Sequence, residues 1–115
     1  MTTNLELARQ VMEKAHEGHT RWDKKTPYST HPQKVVDILE FMGVTNEDVL
    51  IAGYLHDTLE DTKLSSKEIK DQFGDNVLTL VQQLTFQADT DDEYIEHARM
   101  LSPYAKKIKI ADILA

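Results

Sequence analysis

The stretch GYLHDTLEDTK, Gly53 to Lys63, sets His56, Asp57, Glu60 and Asp61 close together, directly after the apolar run DVLIAGYL. Burying ionisable groups is costly unless each is paired or bound to something. A cation at the end of that apolar helix is the obvious compensation. On a continuous α-helix, residues four apart share a face. His56 pairs with Glu60 and Asp57 with Asp61, the two pairs lying about 100° apart around the axis, so all four groups border one cavity. A cation held by imidazole and carboxylate, in a chain without cysteine, suits Mn, Fe or Zn better than Ca or Cu(I). Further ligands must come from elsewhere, and His31 and Asp112 are the best candidates. Each stands at the end or inner edge of an apolar helix, Asp112 being flanked by Ile110, Ala111, Ile113 and Leu114.

Each piece alone has an ordinary explanation. A His-Pro pair such as His31-Pro32 opens many helices, an aspartate among apolar neighbours can pair with a lysine, and Glu60 and Asp61 alone read as solvated acids. Their joint order along the chain is what points to chemistry.

The elements that must position them read as helices throughout. Leu5, Ala8, Val11, Met12 and Ala15 form one stripe of a first helix, from Asn4 to Glu17, stopped by Gly18. A loop, HTRWDKKTPYST, follows, with TPYST locally extended. Thr30 is a candidate cap for a second helix that opens at His31-Pro32, with Val35, Val36, Ile38, Leu39 and Met42 as its apolar side before Gly43. Asn46 caps a third, Glu47 to Leu59. Ser65 or Ser66 caps a short fourth, KEIKDQF; a fifth covers Asp75 to Leu84; the acidic turn QADTDDE leads into a sixth ending near Met100; a last begins near Tyr104 after Pro103. The fold class is all-α, a compact helical bundle with one core.

The chain of 115 residues suggests one domain. Its net charge of −7 argues against nucleic acid and anionic membrane as partners. Arg21, Lys24 and Lys25 nevertheless cluster in one loop, compatible either with a small anionic ligand or with simple solvation. The N-terminus, MTTNLELARQ, does not read as a signal peptide, and no apolar stretch is long enough to span a bilayer. The expectation is a soluble cytoplasmic protein; whether it is a monomer or a homo-oligomer is left open. The final run KKIKIADILA is still in helical pattern at Ala115, which favours a fragment of a longer protein.

Taken together, TPYSTHP, HDTLED and KIADIL make the chain resemble the hydrolase domain of the RelA/SpoT proteins, most closely their small single-domain SpoT-homologue (p)ppGpp hydrolases, which belong to the HD-domain metal-dependent phosphohydrolases. The resemblance runs from KAHEGHTR to KIADIL. It implies a Mn²⁺ ion held by His31, His56, Asp57 and Asp112, with Glu60 and Asp61 as catalytic acids that activate and orient the attacking water. It further implies a guanine nucleotide as the small-molecule partner, with Arg21 against the base and Lys24, Lys25, Thr26 and Tyr28 in the loop that meets the nucleotide. The implied reaction removes the 3′-pyrophosphate to give GDP or GTP. Two departures stand out: His19 replaces the family's glutamine, and Asp112 is followed by ILA where the family continues RLHN. Residues 1–115 are thus expected to be a single HD hydrolase domain lacking its C-terminal helices, with no synthetase half. The alternatives are an HD hydrolase or phosphatase of another nucleotide, and a non-catalytic nucleotide-binding module.

Overall fold

The computed structural model describes residues 3–21, 23–85 and 90–115, without the side chains of residues 60, 61, 94 and 98. Its helices are α1 (Asn4–Ala15), α2 (Thr30–Phe41), α3 (Glu47–Leu55), α4 (Thr58–Asp61), α5 (Ser66–Phe73), α6 (Asp75–Leu84), α7 (Asp91–Met100) and α8 (Pro103–Leu114). No strand occurs among the described residues; one isolated antiparallel bridge joins Thr20 to Pro27 in the α1–α2 loop. The all-α expectation holds.

Several boundaries follow from local chemistry read in the sequence. Asn46 accepts from the Val49 amide at 3.3 Å, and Ser65 from the Glu68 amide at 3.2 Å; each satisfies an amide that the first helical turn leaves without a partner. Two details differ. Ser29, not Thr30, occupies the N-cap of α2, because the Thr30 hydroxyl donates backward to the Pro27 carbonyl at 2.9 Å. Pro103 is the first residue of α8 and Ser102 caps it, as proline's fixed φ and missing N–H allow. The acidic turn expected over residues 87–93 lies partly outside the described residues.

The most consequential difference is a break in the third helix. α3 stops at Leu55, and α4 restarts at Thr58. Side chains compete for the carbonyls at this point: the Thr58 hydroxyl donates to the Leu55 carbonyl at 2.7 Å, and His56 Nδ1 lies 2.8 Å from the Gly53 carbonyl. Such local bonds offer the backbone an alternative to the helical ladder. The i,i+4 geometry expected from His56 to Glu60 therefore does not run along one uninterrupted helix.

The core is built around α3, whose residues from Val49 to Leu55 are all buried. It packs against α1, α2, α6 and α8. A helix apolar on every side belongs in the middle of a bundle, and the inward stripes of its neighbours (Ala8 and Met12, Val35, Val36 and Leu39, Val77 and Val81, Ala105 and Ile108) close over it. Gly53 sets the α2–α3 approach. A β-carbon there would lie 2.9 Å from Leu39 Cδ1 and 3.3 Å from Val36 Cγ2, both on fully buried side chains. In Gly53→Ala, overpacking opposes the gain in helix propensity, and we predict a net destabilisation of about 1 kcal/mol, read as a lower urea midpoint. An unchanged or higher midpoint would show that α2 yields freely.

Candidate metal centre

Three separate parts of the chain deliver the site. His31 lies in the first turn of α2, His56 and Asp57 occupy the α3–α4 break, and Asp112 comes from the last turn of α8. α8 reaches them because Ala105, Ile108 and Ala111 bury one face against the core, which leaves the next residue, Asp112, at its inner edge. His31 and His56 are buried; Asp57 and Asp112 are half-buried.

Asp112 Oδ1 lies 2.7 Å from His31 Nε2 and 3.2 Å from His56 Nε2. Asp57 Oδ2 lies 3.1 Å from His56 Nε2. One donor atom from each of the four residues falls within 4.8 Å of the other three. Donors that share a first-row divalent ion at about 2–2.3 Å have separations of this order. Lys109 Nζ stands 3.9 Å from Asp112 Oδ2, so the lysine pairing that a lone buried acid suggests is present, but it engages the oxygen turned away from the histidines.

The electrostatics make the same case. Burial alone would push the His56 pKa down, but hydrogen bonds to Asp112 and Asp57 and their negative charges raise it from 6.5 to about 10. Burial likewise works against the ionised Asp57 and Asp112. The histidines nevertheless hold both carboxyls below the usual range, with His56 and the Tyr28 hydroxyl acting on Asp57 and His31 and His56 acting on Asp112. His56 Nδ1 donates to the Gly53 carbonyl, so its Nε2 can donate to carboxylate only if the ring is protonated. A protonated ring would put its positive charge where a cation fits. Two carboxylates and two neutral imidazoles carry a charge of −2, which a divalent ion balances. The Gly53 carbonyl already fixes the tautomer that turns Nε2 inward, as metal-binding histidines require. His31 leaves Nδ1 buried without a hydrogen-bond partner and likewise presents Nε2 to the cluster. The donor set fits a divalent metal.

The remaining candidates have different placements. Glu60 and Asp61 end α4, and their side chains lie outside the described residues. Arg21 is half-exposed and Lys24 and Lys25 are exposed on the α1–α2 loop. Thr26 donates its hydroxyl to Asp23 Oδ2 at 2.6 Å. Asp23 also accepts the Lys25 and Thr26 amides, each at 2.9 Å. These bonds, the Thr26 hydroxyl first, lower the Asp23 pKa to about 2. Tyr28 donates its hydroxyl to Asp57 Oδ2. A cleft of about 790 Å³ opens between the end of α1 and the 62–72 segment, lined by Lys14, His19, Lys63 and Glu68 among others and by none of the four donors.

Three further residues shape the site. His16 is buried and packs its ring on Tyr28, with centroids 4.7 Å apart; it lies in KAHEGHTR, where the family resemblance begins. Thr58 and the Gly53 carbonyl act through backbone bonds that no residue pattern reveals. Gly53 did carry a signal, since glycine inside a helix costs about 1 kcal/mol relative to alanine and asks for a packing reason.

Residues 8–112 match the HD domain. The chain belongs to the HD-domain family. Among its relatives is the guanosine-3′,5′-bis(diphosphate) 3′-pyrophosphohydrolase of Xenopus tropicalis, 37% identical over 121 residues, with 96% of this chain and 65% of that protein covered. The protein of the same name from Homo sapiens is 36% identical over 121 residues, with the same coverage. The chain thus spans 65% of the length of both curated relatives. A solved structure described as a metazoan ortholog of SpoT that hydrolyses ppGpp superposes with a TM-score of 0.88 at 32% identity, covering 97% of this chain and 67% of the other. The HD-domain fold is therefore shared over nearly the whole chain.

The site's electrostatics set a pH dependence for metal-free protein. The folded His56 value lies above its ordinary one, so its contribution to stability is full below about pH 6.5 and is lost as pH rises towards about 10. Asp57 and Asp112 are shifted down, so theirs is full above the ordinary carboxylate range and lost only in acid. With chelator present, the urea midpoint should fall from pH 6.5 to pH 10. A flat or rising midpoint would contradict the charge pattern.

Proposed function

We propose that this HD-domain chain is a Mn²⁺-dependent (p)ppGpp 3′-pyrophosphohydrolase, releasing pyrophosphate and leaving GDP or GTP. The observation that carries the reading is the convergence of His31, His56, Asp57 and Asp112, with Glu60 and Asp61 following His56 and Asp57 closely in sequence. The names of the relatives and of the structural neighbour support the substrate. Mn²⁺ is the finer part of the proposal, supported by an imidazole–carboxylate set without thiolate.

In this reading the four residues hold one divalent ion. When bound, that ion neutralises phosphate charge and lowers the pKa of the attacking water. Glu60 and Asp61 orient that water, and one of them takes its proton, within hydrogen-bond reach. Water's oxygen attacks the phosphorus joined to the ribose 3′ oxygen; that P–O bond breaks, and the 3′ oxygen leaves with a proton that replaces, overall, the one the carboxylate took from the water. Arg21 offers a planar cation to the guanine base, while Lys24, Lys25, Thr26 and Tyr28 supply the loop that faces the nucleotide. Ile110, Ile113 and Leu114 stand exposed on α8, an apolar face suited to further helices. This supports reading residues 1–115 as one hydrolase domain short of its C-terminal helices. No helix among the described residues is long and apolar enough to cross a membrane. The lack of cysteine fits a reducing compartment, and the reading keeps the enzyme in the cytoplasm.

The test is incubation with ppGpp and Mn²⁺, following pyrophosphate. Wild type should release it, and His56→Ala should lose both bound metal and turnover. Glu60→Gln should keep its metal while turnover falls at least about 100-fold. Metal binding without turnover in wild type would favour a nucleotide-binding module. Wild-type rates in Glu60→Gln would remove its catalytic role.

A further inference from the structure

The Tyr28 hydroxyl is committed to Asp57 Oδ2, the same oxygen that faces His56 Nε2 at 3.1 Å. Its ring packs against two imidazoles, His16 with centroids 4.7 Å apart and His31 at 5.8 Å. Its backbone is tied in both directions as well: the Tyr28 amide donates to the His19 carbonyl and the His31 amide to the Tyr28 carbonyl, each at 2.9 Å. The segment before it is closed by the Thr20–Pro27 bridge and by the three bonds to Asp23. A phenol held this way spends little further entropy in fixing whatever its hydroxyl touches.

We infer that Tyr28 is a positioning residue for the metal centre, fixing the rotation of the Asp57 carboxylate so that it is aimed before an ion arrives. The inference rests on the metal-site reading above and gives Tyr28 a role distinct from meeting the nucleotide. Asp57 sits in the break between α3 and α4, where no continuous helix holds its backbone, so an outside brace has something to do. A carboxylate oxygen has two lone-pair sites, so the phenol bond leaves room for a cation on the same group. Hydrogen bonds of this outer kind typically change metal affinity 10- to 100-fold.

The experiment is calorimetric titration of chelator-treated protein with Mn²⁺, in a cycle of wild type, Tyr28→Phe, Asp57→Asn and the double variant. Tyr28→Phe keeps the ring against His16 and His31, and circular dichroism verifies its fold. It should raise the Kd for Mn²⁺ at least about 10-fold. Because the hydroxyl acts through Asp57, that penalty should vanish in the Asp57→Asn background. Turnover of Tyr28→Phe at fixed ppGpp should rise as Mn²⁺ is raised towards saturation, because the lost affinity is for the metal. An unchanged Kd for Mn²⁺ with a raised KM overturns the inference and assigns the hydroxyl to the nucleotide. A penalty that persists in Asp57→Asn overturns it too, because the hydroxyl would then be acting by another route. Wild type that takes up no Mn²⁺ sinks the metal-site reading itself, and this inference with it.

Discussion

Two carboxylates and two imidazoles packed within 4.8 Å of one another form an arrangement that a folded protein tolerates only with positive charge among them. Without a cation, His56 must carry a proton that its burial resists. The remainder of the molecule reads as the means of holding that arrangement in place. An ion bound to the folded chain and absent from the unfolded one adds its binding free energy to folding. The centre is thus also a fastening between α2, the α3–α4 break and α8.

The scaffold divides its work between packing and backbone chemistry. α3 is apolar on every side and fixes the distances among its neighbours. Gly53 serves twice: its missing side chain lets α2 come close, and its carbonyl turns His56. The break after Leu55, held by Thr58, lets two adjacent residues, His56 and Asp57, reach one point. On a regular helix they would diverge by about 100°.

Much of this was legible in the residues. The apolar stripes of α1, α2 and α6, the Asn46 and Ser65 caps and the all-helical class follow from helical periodicity and from side chains that accept amide hydrogens. His31 and Asp112 were recoverable because polar groups at apolar helix edges demand a partner. The break at His56-Asp57 was not, since the Thr58–Leu55 and His56–Gly53 bonds depend on rotamers and three-dimensional closure, while the local pattern favours a continuous helix. Tyr28 shows the same limit: its place between Arg21 and His31 suggests a ligand-facing loop, but its contact with Asp57 spans 29 positions of sequence.

The most direct measurement is an anomalous-difference map from a crystal of this chain grown with Mn²⁺. One peak, in contact with His31, His56, Asp57 and Asp112 together, is the predicted result. A peak elsewhere, or none with the four side chains still gathered, would contradict the account at its centre.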